Sequence, residues 1–178
     1  GPSSSYTAKT GVGFTGLKSM EYGGRILTDG AASATNELYD VDVDITDGME
    51  LSYKIFPVLD SGLTYASTYA SVDLLLADGS LLSSKKLTDQ NGFEANAAAL
   101  GASNSLWPDQ WNSVKVDLTG LKGKKIDKIL FSYDAPALAK GTVFRGFVDD
   151  VAVEQADTLD DSDGLISYVD TRRGTKSS

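Results

Sequence analysis

The stretch that decides the fold is ELYDVDVDIT, Glu37 to Thr46. Its apolar members Leu38, Val41, Val43 and Ile45 alternate with the acidic Asp40, Asp42 and Asp44. Every second side chain of a strand shares a face, so the stretch predicts a half-buried strand, apolar on one side and solvated on the other. The three aspartates also discourage edge-to-edge pairing with a foreign strand.

Working outward, similar signals recur. MELSYKIFPV (49–58) predicts a second strand that ends near Pro57, and TYASVDLLLADGSLL (68–82) places an apolar strand before the hairpin-type turn Asp78-Gly79. WNSVKVDLTGL (111–121) alternates again through Val114, Val116 and Leu118, while KIDKILFSYDAP (125–136) and VFRGFVDDVAVE (143–154) complete the set. GVGFTGLKSMEYGGRILTDG (11–30) gives two short segments broken by glycines; its opening GVGFTG has no helix after it and so no phosphate-binding context. The Ala-rich FEANAAALGAS (93–103) is the one helix-like piece. About eight strands without a long helix predict an all-β fold, an antiparallel β-sandwich of the jelly-roll, galactose-binding-like kind.

Composition narrows the function. A chain of 178 residues fits one domain with a substantial core. Its net charge of −9 argues against nucleic acid and anionic membranes, which need clustered Lys and Arg. The absence of His removes imidazole acid–base chemistry, Ser-His-Asp triads and the usual zinc sites. The absence of Cys decides little between compartments. The longest apolar run is too short to cross a membrane as a helix. LKGKKIDK (121–128), a basic patch in an acidic protein, reads as a solvated turn that leads into a strand.

Residues 1–5, GPSSS, read as a protease scar and short linker rather than a targeting signal. Residues 6–154 form the expected sandwich domain, QADTLDDSDG (155–164) an acidic linker, and residues 165–178 the beginning of a further region. Two loops stand out for their length, Leu59–Thr68 and Thr88–Asn112, and loops of that kind often carry function.

The closing segment YVDTRRGTKSS, Tyr168 to Ser178, resembles the opening of the catalytic region in glycoside hydrolase family 92, the bacterial exo-α-mannosidases. Lys176 follows Gly174-Thr175 where that family usually has Asn. Upstream, VDLLLADGSLLS, DQNGFEANAAALGAS, LWPDQWNSVKVDL, KIDKILFSYDAPA and FRGFVDDVAV together resemble the β-sandwich module that precedes this region in many such enzymes. The resemblance covers roughly Gly11 to Val153. It implies a non-catalytic accessory domain of a secreted or cell-surface bacterial α-mannosidase, a monomer whose partners are mannose-containing glycans and its own catalytic region. The catalytic carboxylates of that family lie beyond the end of this chain.

Two sets of residues are candidates for a site. Asp149 and Asp150 sit inside a strand, where neighbours point to opposite faces, so they do not form the carboxylate pair, about 6.5–9.5 Å apart, of an inverting glycosidase. A structural calcium suits oxygen-rich surroundings better. Jelly-roll carbohydrate-binding modules often hold one against an Asp of a last strand, here Asp149, with partners from Glu21, Asp29 or the carbonyls near Gly23-Gly24 and Gly30. The alternative is one Asp bonded to backbone and the other solvated.

Sugar binding needs an aromatic ring for the pyranose C–H face and polar groups for the hydroxyls. LWPDQWN supplies Trp107, Asp109, Gln110, Trp111 and Asn112; the same loop adds Asp89, Gln90, Asn91 and Phe93, and the other loop Tyr65 and Tyr69. Trp107, before Pro108, is expected to be an exposed platform, and Trp111, opening a strand, to plug the end of the core. Three functions follow: a carbohydrate-binding module, a structural module that orients a catalytic region, and a stand-alone enzyme, the last disfavoured by the lack of His and of a convergent carboxylate pair.

Overall fold

A computed structural model describes residues 6–9, 13–16 and 18–156, with side chains from residue 13 onward. The expected remnant at 1–5, the linker beyond Ala156 and the stretch 165–178 lie outside them. Nine strands appear among the described residues: β1 (Tyr6–Lys9), β2 (Gly13–Gly16), β3 (Met20–Arg25), β4 (Gly30–Asp44), β5 (Met49–Pro57), β6 (Ala70–Leu76), β7 (Asn112–Asp117), β8 (Lys125–Leu138) and β9 (Val143–Gln155). One α-helix, α1, spans Ala97–Ser103 among the described residues.

The strands form two antiparallel sheets. The larger has the order β1-β2-β9-β5-β7, with β3 also on β9; the smaller has the order β4-β8-β6. From β3 to β9 every connection carries the chain from one sheet to the other, so neighbouring stretches of sequence face each other across the core. The expected antiparallel β-sandwich is the fold.

Alternation builds the core. On β5 the buried Met49, Leu51, Tyr53 and Ile55 face inward, while Ser52, Lys54 and Phe56 face out. They meet Val43, Leu74, Ile126 and Ile129 from the smaller sheet. Each such side chain, fully buried, contributes about 1.5–3 kcal/mol.

The deciding stretch is a strand, but part of a longer one, and its alternation holds from Tyr39 to Ile45 although its pairing with β8 is irregular. Register shifts fall between Glu37 and Tyr39 and between Asp40 and Val43. Tyr39 shares the parity of Val41, Val43 and Ile45 and is the buried residue, whereas Leu38, with the parity of the aspartates, is only half-buried. β4 is an edge strand, as the aspartates suggest. Asp40 pairs with Lys128 at 2.7 Å and Asp42 with Lys125 at 2.9 Å, so part of the basic patch 121–128 neutralises the acidic stripe.

β6 does not alternate, because both of its faces are covered: every residue except Leu75 is buried. After Asp78-Gly79 the chain folds back over the outer face of the smaller sheet, and α1 packs on β6 and β8. The buried Asp73 fastens this cover, its Oδ1 accepting N–H groups from Leu74 at 2.8 Å and Ser83 at 2.9 Å. Asn96 caps α1 by accepting from the N–H of Ala99 at 2.8 Å. Gly101 of α1 lies directly against the Tyr69 ring, where no Cβ fits. The long 88–112 segment is thus mostly structural. β9 runs on to Gln155, whose side chain donates to Thr46 Oγ1 at 2.7 Å, so the sheet ends one residue inside the expected linker.

Candidate functional site

The loop end where β5 stops and β7 begins holds a groove of about 340 Å³ lined by Tyr65, Thr68, Asn104, Leu106, Trp107 and Pro108. Trp107 is 67 % exposed and Tyr65 47 %. These two, taken from different loops as candidate platforms, are brought together.

The turn that carries Trp107 is fixed by one side chain. Asn112 accepts the Trp107 N–H at 2.8 Å, and its amide donates to the carbonyls of Trp107 at 2.9 Å, Gln110 at 3.0 Å and Ile55 at 3.2 Å. Asp109 ties this turn to the loop of Tyr65: its N–H donates to Pro57 O at 2.7 Å and its Oδ1 accepts the Leu59 N–H at 2.9 Å. Within that loop Asp60 accepts from the N–H and hydroxyl of Thr64 and from the N–H of Ala66. Partial burial works to raise the Asp60 pKa, but these hydrogen bonds outweigh it and hold the carboxyl below its usual range.

The backbone here is strained. Six described non-glycine residues have left-handed φ; two of them line the groove, Tyr65 (57°) and Asn104 (57°), and two lie in the loops that form it, Leu63 (55°) and Asp109 (59°). For bulky residues such as Leu and Tyr this conformation costs of order 1 kcal/mol or more and gathers at functional sites.

The remaining predicted sugar contacts are placed elsewhere or committed elsewhere. Gln110 is exposed on the same turn. Asp109 and Asn112 hold the turn together. Asp89 is buried and accepts from the N–H groups of Asn91 and Phe93, a local turn. Gln90 donates to Ser113 O at 2.6 Å and accepts the Lys115 N–H at 2.9 Å, closing the free edge of β7 as a surrogate strand. Phe93 is 37 % exposed beside that edge. Neither Asp89, Gln90 nor Phe93 lines the groove.

Trp111 departs from its expected role. It does not plug the core but lies 48 % exposed on the outer face of the larger sheet, edge-on to Phe56 with ring centroids 5.5 Å apart. Phe56 and Trp111 project from the face opposite to Ile55, so the parity of the neighbouring strand, not the Trp itself, decides the matter.

The acidic candidates stand apart. Asp150 is left-handed (φ 53°) in a bulge where Lys54 pairs with Asp149 and Ser52 with Ala152. Asp149 Oδ1 accepts the Asp150 N–H at 2.8 Å, and Asp150 lies 3.4 Å from Lys54 Nζ. The rule of opposite faces therefore loses its premise here. Glu21 pairs with Arg145 at 2.9 Å, and Asp29 accepts the Lys140 N–H at 2.7 Å in the turn before β4. Asp149, Glu21 and Asp29 thus stand in three separate hydrogen-bonded settings, and among the described residues no three His, Cys, Asp or Glu side chains gather for a metal.

No family model and no curated protein matches the chain. Among solved structures, the glycoside hydrolase domain of Endo-D from Streptococcus pneumoniae R6 is similar at a TM-score of 0.47 and 15 % identity, over 86 % of this chain. This chain spans 21 % of that one.

Proposed function

We propose that this domain is a non-catalytic carbohydrate-binding module of a secreted bacterial exo-α-mannosidase and takes mannose-containing glycans at the Tyr65–Trp107 groove. One observation carries the reading: Trp107, 67 % exposed, shares a groove with Tyr65 on a turn locked by Asn112. Large rings with a polar handle suit the C–H face of a pyranose, and a groove of about 340 Å³ falls within the range of small-ligand sites. The mannosidase context rests on the resemblance of Tyr168–Ser178 and the segments upstream. The test is a mannose-rich glycan array followed by calorimetry, with Trp107→Ala as control. Binding that falls at least about tenfold in the variant supports the reading; a folded wild-type protein silent across the array overturns it.

A second reading is a structural module that packs on and orients the catalytic region. It is favoured by Asp89, Gln90, Asp109 and Asn112, whose polar groups are engaged within the domain rather than offered to a ligand.

A further inference from the structure

The outer face of the larger sheet carries a cross-strand row. Phe147 of β9 stands opposite both Glu21 of β3 and Phe56 of β5, while Asn112, next to Trp111, stands opposite Ile55, next to Phe56. The rings of Phe56 and Phe147 are 6.1 Å apart and edge-on, as are those of Phe56 and Trp111 at 5.5 Å. At the far end Arg145 covers the Phe147 ring, 5.4 Å from its centroid, and its Nε donates to Glu21 at 2.9 Å. Both members of that ion pair are more than half exposed.

From this arrangement we infer a second sugar subsite for the same glycan, with Trp111 as its ring platform and the Arg145–Glu21 pair as its hydrogen-bonding end. The inference rests on the sugar-binding reading above. Trp111 and Arg145 stand two strands apart, roughly 10 Å, a span that fits two linked pyranose units. The pair sets a donor fork beside an acceptor, which matches the alternating needs of vicinal hydroxyls, and its charges cancel, which suits a neutral ligand. Phe147 lies beneath the guanidinium and serves as a positioning residue, fixing Arg145 through its ring face. The subsite also adjoins the groove in the chain: Trp107 and Trp111 sit on one turn, which Asn112 closes through Trp107 and Gln110, so an oligosaccharide long enough to pass over that turn engages both.

The test compares α-mannose and α-mannotriose by calorimetry on the wild type, Trp107→Ala, Trp111→Ala and Arg145→Lys. The last keeps the charge but loses the fork, and it remains informative if Trp111→Ala fails to fold. The subsite predicts that Trp111→Ala and Arg145→Lys each lose about five- to tenfold for mannotriose and less than twofold for mannose. Equal mannotriose affinity in wild type, Trp111→Ala and Arg145→Lys, with loss only in Trp107→Ala, overturns the subsite and leaves the groove standing. A wild type that binds neither sugar overturns both.

Discussion

Asp109 Oδ1 accepts the N–H of Leu59 at 2.9 Å and so joins two loops that are remote in sequence. One loop carries Trp107 and the other Tyr65, and this bond, beside that of the Asp109 N–H to Pro57 O, holds the Trp107 turn to the Tyr65 loop. Asp109→Ala removes the acceptor and places a residue less tolerant of the left-handed region at a φ of 59°. We expect a loss of about 1–2 kcal/mol in urea unfolding and weaker glycan binding. Asp109→Asn keeps both an acceptor and the conformational tolerance and stays near wild type; equal losses in the two variants would refute the role given to this bond.

Gly101 packs against the Tyr69 ring too closely for any side chain. The ring atoms concerned are near the base of the side chain, which cannot swing away as a long flexible one would. Gly101→Ala therefore overpacks the seat of α1 and costs about 1–3 kcal/mol, against the small gain that alanine normally brings to a helix. A lowered urea midpoint at unchanged slope is the expected signature.

The Asp60 carboxyl has a lowered pKa in the folded domain, so it lends stability above its unfolded pKa and withdraws it as pH falls through the folded value. With no His in the chain, nothing with an unperturbed side-chain pKa titrates between about pH 5 and 8. Glycan affinity is expected to stay flat across that range and to fall only below the ordinary carboxylate range, as Asp60 is protonated and the Tyr65 loop loses its hub. Titration of the Thr64 and Ala66 amide resonances checks this directly; a midpoint near neutrality would contradict it.

The free edge of β4 is guarded over Asp40, Asp42 and Asp44, two of which pair with lysines of β8. Replacing all three by Asn keeps the strand's shape but removes the repulsion that bars another edge. Light scattering at rising concentration should show the variant self-associating where the wild type does not.

Glu21, Asp29 and Asp149 are held in three separate hydrogen-bonded settings. Millimolar calcium is therefore expected to leave the melting temperature within about 1 °C, since a ligand stabilises only through a site that the folded state offers. A clear rise on calcium addition, reversed by a chelator, would require a donor set other than these acids.

Much of the fold was legible from alternation alone. β5 and β7 read correctly because one face of each is apolar and the other polar. β4 read correctly in kind, but Leu38 has the parity of the aspartates, and Tyr39, with that of Val43, takes the place in the core. β6 hid its surroundings: a run such as SVDLLL does not say that a helix covers its second face. The site was legible in its rings and not in its polar groups. Asp and Asn close turns with the same atoms that would hold a sugar, so Asp89, Asp109 and Asn112 could be told from ligand-binding residues only by their backbone partners. The left-handed Tyr65 had no sequence signal, whereas Asn104, just after α1, is a residue type that favours that conformation at a helix end.

The chain has two tryptophans, so its indole N–H groups give two resonances, separable with Trp107→Phe. Following them during titration with α-mannobiose tests the central claim most directly. The account predicts that the Trp107 resonance shifts in a saturable way. Saturating sugar that moves neither resonance would contradict it.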